Sequence, residues 1–295
     1  MRVRILGAAA GGGLPQWNCA CSGCRAARAD KIPSRTQSSI ALSADGESWL
    51  LVNASPDLRA QVESFPRLQP DRDGARHSPL GDVLLTNADL DHVLGLFQLR
   101  ELGHGLRVHC TSAVRETLSR SLRLDSLLSS FCGIEWHELS YTFGSLLSLA
   151  YRALDLGGKS PRYDNAVELT GGQSVALEFL EPRTNRKLVI APDVATITPE
   201  LQSALESADA VLFDGTFWSE NELREVHNKA RTASEMGHIP IADGSLEVLR
   251  NLSARHRMYV HINNTNPIFL PGTSERSAVE NAGIAIAEDG MEFEL

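Results

Sequence analysis

Short apolar runs alternate with helix-spaced polar stretches from one end of the chain to the other. Met1 to Leu6 alternates apolar and basic side chains and runs into glycines between Gly7 and Gly13, as a strand does when it ends on a sharp turn. Gln37 to Leu42 and Trp49 to Asn53 predict a hairpin, with Asp45-Gly46 as its turn. Pro56-Asp57 opens a short helix, and Leu68 to Pro79 reads as a polar surface loop. Val83 to Leu85 predicts a buried strand, Val93 to Arg100 a helix and Leu106 to Cys110 another strand. Thr111 or Ser112 caps a helix through Leu122, and a second helix is expected over Leu124 to Phe131. Tyr141 to Thr170 carries only weak alternation and a polar loop at Gly157 to Pro161. Val175 to Leu180 and Lys187 to Ala191 predict strands around a turn at Pro182 to Asn185. Thr198-Pro199-Glu200 starts a helix with proline at its first position. Ala210 to Phe213 is a strand ending at Asp214-Gly215, followed by a long polar loop, Thr216 to Gly244. Ser245 to Leu252 is helical, Met258 to Ile262 a strand, and a helix over Ser274 to Asn281 precedes two short closing strands.

Acids and histidines recur where these strands end: Asp91 and His92, then Asp193, Asp214 and His261. Alternating strands and helices with ligand-bearing ends imply an α/β sandwich lined along one edge with polar chemistry. Asp91 and His92 join a hard oxygen ligand to an imidazole, a pairing that suits a first-row transition metal. Taken alone, the same pair suits a helix cap beside a surface histidine. Cys19, Cys21 and Cys24 place three thiols within six residues, close enough to converge on one tetrahedral ion whose fourth ligand lies elsewhere. The Gly7 to Gly13 stretch lacks the glycine spacing of a dinucleotide fingerprint, and Leu14-Pro15 stands where the helix should open. Cys110 and Cys132 read as small buried hydrophobes, and His104, His109 and His137 as structural.

Composition narrows the class. Thirty-seven acids against 28 bases leave a net charge of −9, which argues against nucleic acid, whose binding needs clustered cations. No run approaches the ~20 apolar residues of a membrane span, and no apolar leader is visible. Five cysteines without a secretion signal point to a reducing cytoplasm.

The Thr86 to His92 stretch, Asp193 and His261, each following a strand, together resemble the metallo-β-lactamase fold, and the resemblance covers nearly the whole chain. Gly7 to Cys24, Thr36 to Leu42, Asn53 to Asp57, Glu235 to His238 and His261 to Pro267 look specifically like the coenzyme PQQ synthesis protein B family. The resemblance implies one domain over residues 1–295, an αββα sandwich of two facing mixed sheets with outer helices, its halves spanning about 1–150 and 151–295. It also implies PQQ biosynthesis, by iron- and dioxygen-dependent hydroxylation of the tyrosine ring of a cross-linked Glu-Tyr compound derived from a precursor peptide. The product would be a catechol, oxidised further to a quinone.

Hydrolases of this fold carry His-x-His-x-Asp-His, whereas this chain has Asn87 and Asp89 at the first two histidine positions. No histidine lies between His137 and His227, so the first metal position is expected to lack an imidazole. Asp91, His92 and His261 remain, the two-histidine, one-carboxylate set of non-haem iron(II) oxygenases. A two-zinc clamp is hard to build from it, although a single zinc could still activate water. On this reading His238 is an acid/base or substrate-orienting group and Asp193 a proton acceptor. Asp89 is a spare oxygen ligand facing substrate, Asp214 orients a histidine, and Arg231 pairs with a substrate carboxylate. Cys19, Cys21 and Cys24 resemble a structural zinc site, with Asn264 where relatives place a histidine. Iron(II), zinc and dioxygen are the implied cofactors and co-substrate. The expected partners are the cross-linked compound and at most a second copy of the chain. Two alternatives stay open: a mononuclear zinc hydrolase, and a non-catalytic carrier that transports PQQ or an intermediate.

Overall fold

Period-two alternation becomes layering in the computed structural model, which describes residues 1–70, 77–164, 171–228 and 230–295. The first sheet contains β1 (Arg2–Gly7), β2 (Ser39–Ser43), β3 (Trp49–Val52), β4 (Leu80–Leu84), β5 (Leu106–Cys110) and β6 (Ile134–Glu138). The second contains β7 (Gly144–Leu146), β8 (Leu149–Asp155), β9 (Val175–Glu181), β10 (Arg186–Ala191), β11 (Ala210–Asp214), β12 (His256–Val260) and β13 (Ala285–Ile286). A last strand, β14 (Glu292–Glu294), returns to the first sheet beside β1. Among the described residues the strand orders are β14-β1-β2-β3-β4-β5-β6 and β13-β12-β11-β10-β9-β8-β7. Each sheet passes through three antiparallel pairings and then three parallel ones.

Alternate residues of one strand face different layers. Leu50 and Val52 of β3 meet Leu188 and Ile190 of β10 and Leu212 of β11 between the sheets. Trp49 and Leu51 face outwards, onto Leu58, Leu96, Val114 and Leu118 from the flanking helices. Val189, Val211, Phe213 and Tyr259 do the same on the other side, against Leu201, Leu205, Leu249 and Val279. Each such fully buried Leu or Ile contributes about 2 kcal/mol, and the alternation makes any one-residue slip expose a whole strand face. The result is the expected αββα sandwich.

Several elements depart from expectation. The second sheet opens at Gly144, so the division near residue 150 falls inside it, and β14 crosses back. The helix expected over Val93 to Arg100 is instead a short α-turn, Leu90–Val93, continued as a 3-10 helix, Leu94–Glu101. The Gly95 amide donates to the Ala54 carbonyl at 2.8 Å, and a Cβ there would sit 2.4 Å from the Ser55 carbonyl oxygen. The segment is thus drawn onto the neighbouring loop rather than wound into an α-helix. The expected long loop Thr216 to Gly244 holds two short helices, Glu222–Val226 and Ala233–Met236, and enters a π-helical turn, Ile241–Ser245; its residue 229 lies outside the described residues. So do residues 71–76 of the expected loop Leu68 to Pro79, and residues 165–170 of the weakly patterned stretch. Cys110 is buried as expected, whereas Cys132 is half-buried. Among the described residues, no helix is long and apolar enough to cross a membrane.

Candidate metal centre

The loops leaving β4, β10, β11 and β12 bring Asp91 and His92, Asp193, Asp214 and His261 to one edge of the sandwich. Asn53 fixes the first of these loops: its Oδ1 accepts from the Thr86 amide and its Nδ2 donates to Thr86 Oγ1, both at 3.0 Å. The Ala54 amide donates to the His92 carbonyl at 2.7 Å. His261 follows β12 with a left-handed φ of 53°, a conformation costly for a residue with a Cβ. The loop around it is held by Ile262, whose amide donates to Ala8 and whose carbonyl accepts from Ala10.

Two overlapping groups of ligand atoms result, Asp91–His92–His261 and Asp193–His238–His261, with atoms in each within 4.8 Å of one another. The first is the expected triad: Asp91 Oδ2 lies 3.1 Å from His261 Nε2 and 3.9 Å from His92 Nε2. The second joins His238 to Asp193 and His261. His238 arrives from the loop after Ala233–Met236 and stacks against His261 at 5.6 Å between ring centroids.

Hydrogen bonds decide which ring nitrogen each histidine presents. Asp214 accepts only, so His238 Nδ1, at 2.8 Å from its Oδ2, must donate. Thr216 Oγ1 donates to Asp214 Oδ1 at 2.6 Å and therefore accepts from His261 Nδ1 at 2.8 Å. Asn87 Nδ2 donates to Asp193 Oδ2 at 3.0 Å, which turns its Oδ1 to receive His92 Nδ1 at 2.8 Å. His92 and His238 thus spend an N–H outside the site, and His92 Nε2 stays free of any hydrogen bond, whereas His261 Nε2, 3.1 Å from Asp91 Oδ2, donates to that carboxylate when no ion stands between them. His92 Nε2 is buried without a hydrogen-bond partner, an arrangement that costs stability unless the nitrogen coordinates something. Two imidazoles and a carboxylate suit iron(II) or zinc, so the donor set fits the implied ion.

The charges agree. Burial opposes ionisation of Asp91, but His92 and His261 outweigh it and hold the carboxyl well below its ordinary range. Burial likewise opposes a charged His261, yet Asp193, Asp91 and Asp214 raise it to about 10. Burial, then the carboxylates of Asp91 and Asp193, push Asp89 up to about 7. This is a pocket of surplus negative charge that favours a cation. A cavity of about 260 Å³ opens here, lined by Asp89, Asp91, Asp193, His238 and His261 and also by the Gly158 to Arg162 loop and Arg231. Asp214 lies beneath, tied to His238 and, through Thr216, to His261. Asn87, Thr216 and the Gly158 to Arg162 wall were not singled out as site residues from the sequence; the Gly157-Gly158 pair was the available signal.

The cysteines converge elsewhere. Cys19, Cys21 and Cys24 form a third group of ligand-competent atoms, and the Asn264 side-chain amide lies 3.1, 3.4 and 3.3 Å from their respective sulfurs. A half-turn of that amide would present Oδ1 instead of Nδ2 to the trio. Amides of Gln16, Cys21 and Cys24 donate to the sulfurs at 3.3 to 3.4 Å, and burial pushes the Cys24 thiol up to about 11. Gly23 lets the two segments meet, because a Cβ there would stand 2.6 Å from the Asn264 carbonyl oxygen.

Comparison with known proteins gives the fold and the family. A family model described as the beta-lactamase superfamily domain matches residues 48–262. The chain is 39% identical over its whole length to the coenzyme PQQ synthesis protein B of Methylococcus capsulatus, and covers all of it. It is 42% identical to that of Rhizobium meliloti, covering 98% of the relative. The crystal structure of zinc-bound PqqB from Methylobacterium extorquens superposes with a TM-score of 0.91 at 38% identity, each chain covered completely. A diphosphatase of the PhnP family superposes at 0.71 with 18% identity over all of this chain and 97% of the other, a likeness of fold.

Proposed function

We infer the activity from one premise: the chain belongs to the coenzyme PQQ synthesis protein B family, and its role lies in PQQ biosynthesis. We propose that it hydroxylates the tyrosine ring of a small cross-linked Glu-Tyr compound, using iron(II) at Asp91, His92 and His261. The observation that carries this reading is the buried, unpartnered Nε2 of His92 beside Asp91 and His261, the last two of which line a cavity of about 260 Å³. An iron(II) ion in such a set supplies the redox chemistry that moves one oxygen atom of dioxygen into an aromatic ring. The second oxygen atom leaves as water, taking two electrons and two protons from a reductant.

The protein's own contributions follow from the geometry. Asn87 and Thr216 anchor the rings of His92 and His261 at Nδ1 and so fix which edge each turns to the site. His238, anchored at Nδ1 by Asp214 and facing Asp193 Oδ1 at 3.8 Å through Nε2, is placed to take up and return a proton. Zinc at the cysteine trio with Asn264 would be structural.

The test is oxygen uptake by anaerobically iron-loaded protein supplied with the cross-linked compound and ascorbate, with product identified by mass. Wild type gains one oxygen atom per turnover, and His92→Ala and His261→Ala lose at least a hundredfold in rate. Unchanged hydroxylation in either variant removes the proposal. A second reading, a mononuclear zinc hydrolase, draws support from the Asp193–His238–His261 group; it predicts ester or phosphodiester turnover under nitrogen, where the hydroxylase is silent.

A further inference from the structure

The acidic floor of the cavity faces a basic wall. Lys159, Ser160 and Arg162 stand on the loop that follows β8, and Arg231, from the loop after Glu222–Val226, lines the same cavity. Lys159 Nζ and the Arg231 guanidinium both donate to one neutral acceptor, the Glu235 carbonyl oxygen. Two cations thereby share one neutral acceptor, and neither forms a salt bridge among the described residues. Glu235's own carboxylate feels Arg231 but is bonded to Arg224 and the Thr232 amide. Arg162 is exposed and has no ion-pair partner among the described residues. Ser160 Oγ, which also lines the cavity, is buried with no hydrogen-bond partner.

The loop is not a loose flap. At one end the Ser174 amide donates to the Gly157 carbonyl at 3.0 Å. Gly158 has a φ of 87°, and a Cβ there would lie 2.9 Å from that of Ser174. At the other end the buried Asp164 carboxylate accepts from Arg120, Ser121 and Thr117 at 2.8 to 3.0 Å. Tyr163 donates its hydroxyl to the Ala88 carbonyl, on the same loop as Asp91. The wall is therefore built to a fixed distance from the candidate metal ligands. Cations gathered with no salt-bridge partner among the described residues leave their N–H groups open to an anionic ligand.

We propose that Lys159, Ser160, Arg162 and Arg231 form a carboxylate-recognition wall, which selects an aromatic substrate by its free carboxylates and turns its ring towards Asp91, His92 and His261. Only the identity of that ring rests on the hydroxylase reading. The wall itself requires an anion with two or more carboxylates spread over the width of the cavity. Arg162 and Arg231 offer forked N–H pairs that match a carboxylate, Lys159 a point charge and Ser160 a hydroxyl donor.

Equilibrium binding under nitrogen, by calorimetry on zinc-loaded full-length protein, separates the two ideas because it needs no turnover. The probes are the cross-linked Glu-Tyr diamino acid, its tricarboxamide, and benzene-1,3,5-tricarboxylate. Arg162→Gln and Lys159→Gln should each weaken the carboxylate probes roughly tenfold or more, leave the tricarboxamide unchanged, and flatten the salt dependence; Arg162→Lys should recover part of the loss. If the tricarboxylate shows this pattern while the cross-linked compound does not bind, the wall stands and the proposed substrate falls. If both glutamine variants bind the carboxylates as tightly as wild type, or lose the amide probe equally, the wall is refuted.

Discussion

Asn87 shows how one side chain can serve a site without touching an ion. It occupies a position where hydrolases of this fold present a histidine, and it joins His92 to Asp193 through the two ends of one amide. Asn87→Leu removes both bonds, leaving His92 Nδ1 only its longer contact to Thr86 Oγ1, at 3.3 Å, and Asp193 short of a donor. Metal affinity at the triad should fall roughly 10- to 100-fold, read by chelator competition, while the far-ultraviolet dichroism stays that of wild type. Asp82 offers a second test, remote from the metal. It accepts from His109 Nε2 at 2.8 Å and from Arg107 at 3.0 Å. Burial opposes its charge, but these partners prevail and lower its carboxyl to about 2. A carboxyl depressed in the folded state gives stability that is present above its unfolded value, near 4, and lost as the pH falls towards 2. Denaturant unfolding of wild type should therefore lose on the order of 2 kcal/mol across that window relative to Asp82→Asn. An equal slope for both proteins would count against the pairing.

At the scale of elements, legibility followed the strength of local pattern. The β2–β3 hairpin could be read because Asp45-Gly46 makes its turn and alternation fixes its register, Ile40 opposite Val52 and Leu42 opposite Leu50. β6 could not: Ile134-Glu-Trp-His-Glu138 alternates, but its polar side chains sit at an edge and resemble a loop. Helix Ser22–Arg28 was missed because its start is capped by the Cys21 thiol, which accepts from the Cys24 amide, and not by a hydroxyl or carboxylate. The capping box of Thr232 with Glu235 was present in the sequence yet lay in a stretch too polar to suggest a helix. The triad was legible because three ligands follow strands; His238 was placed at the site only through the family resemblance, since it comes from an irregular loop whose position tertiary contacts set. One element-scale prediction concerns the close approach of helix Ser22–Arg28 to the His261 to Asn264 loop. Gly23→Ala must push Asn264 away from the sulfurs. Zinc held by the cysteines should then be lost to a chelator several times faster, and stability should drop by about 1–3 kcal/mol.

At the scale of the molecule, the candidate ligands are divided between the halves. Asp91 and His92 come from the first sheet's loops, Asp193, His238 and His261 from the second's. An ion bound to both sets fastens one half to the other. Adding iron(II) or zinc at about a hundred times its dissociation constant should raise stability by roughly 2.7 kcal/mol, seen as a higher melting temperature. His261→Ala should abolish the shift at the triad without abolishing folding.

The matching succession of strand pairings in the two sheets also bears on ancestry. Two copies of a half-length polypeptide, set face to face about a twofold axis, would produce the same pair of sheets, with each copy's strand-end loops meeting at the axis. Fusion of such a pair would leave each loop free to diverge, so that one now carries Asp91 and His92 and its counterpart Asp193. The tail strand β14, which fills the first sheet's outermost place, would then be an exchanged segment that latches the fused copies together.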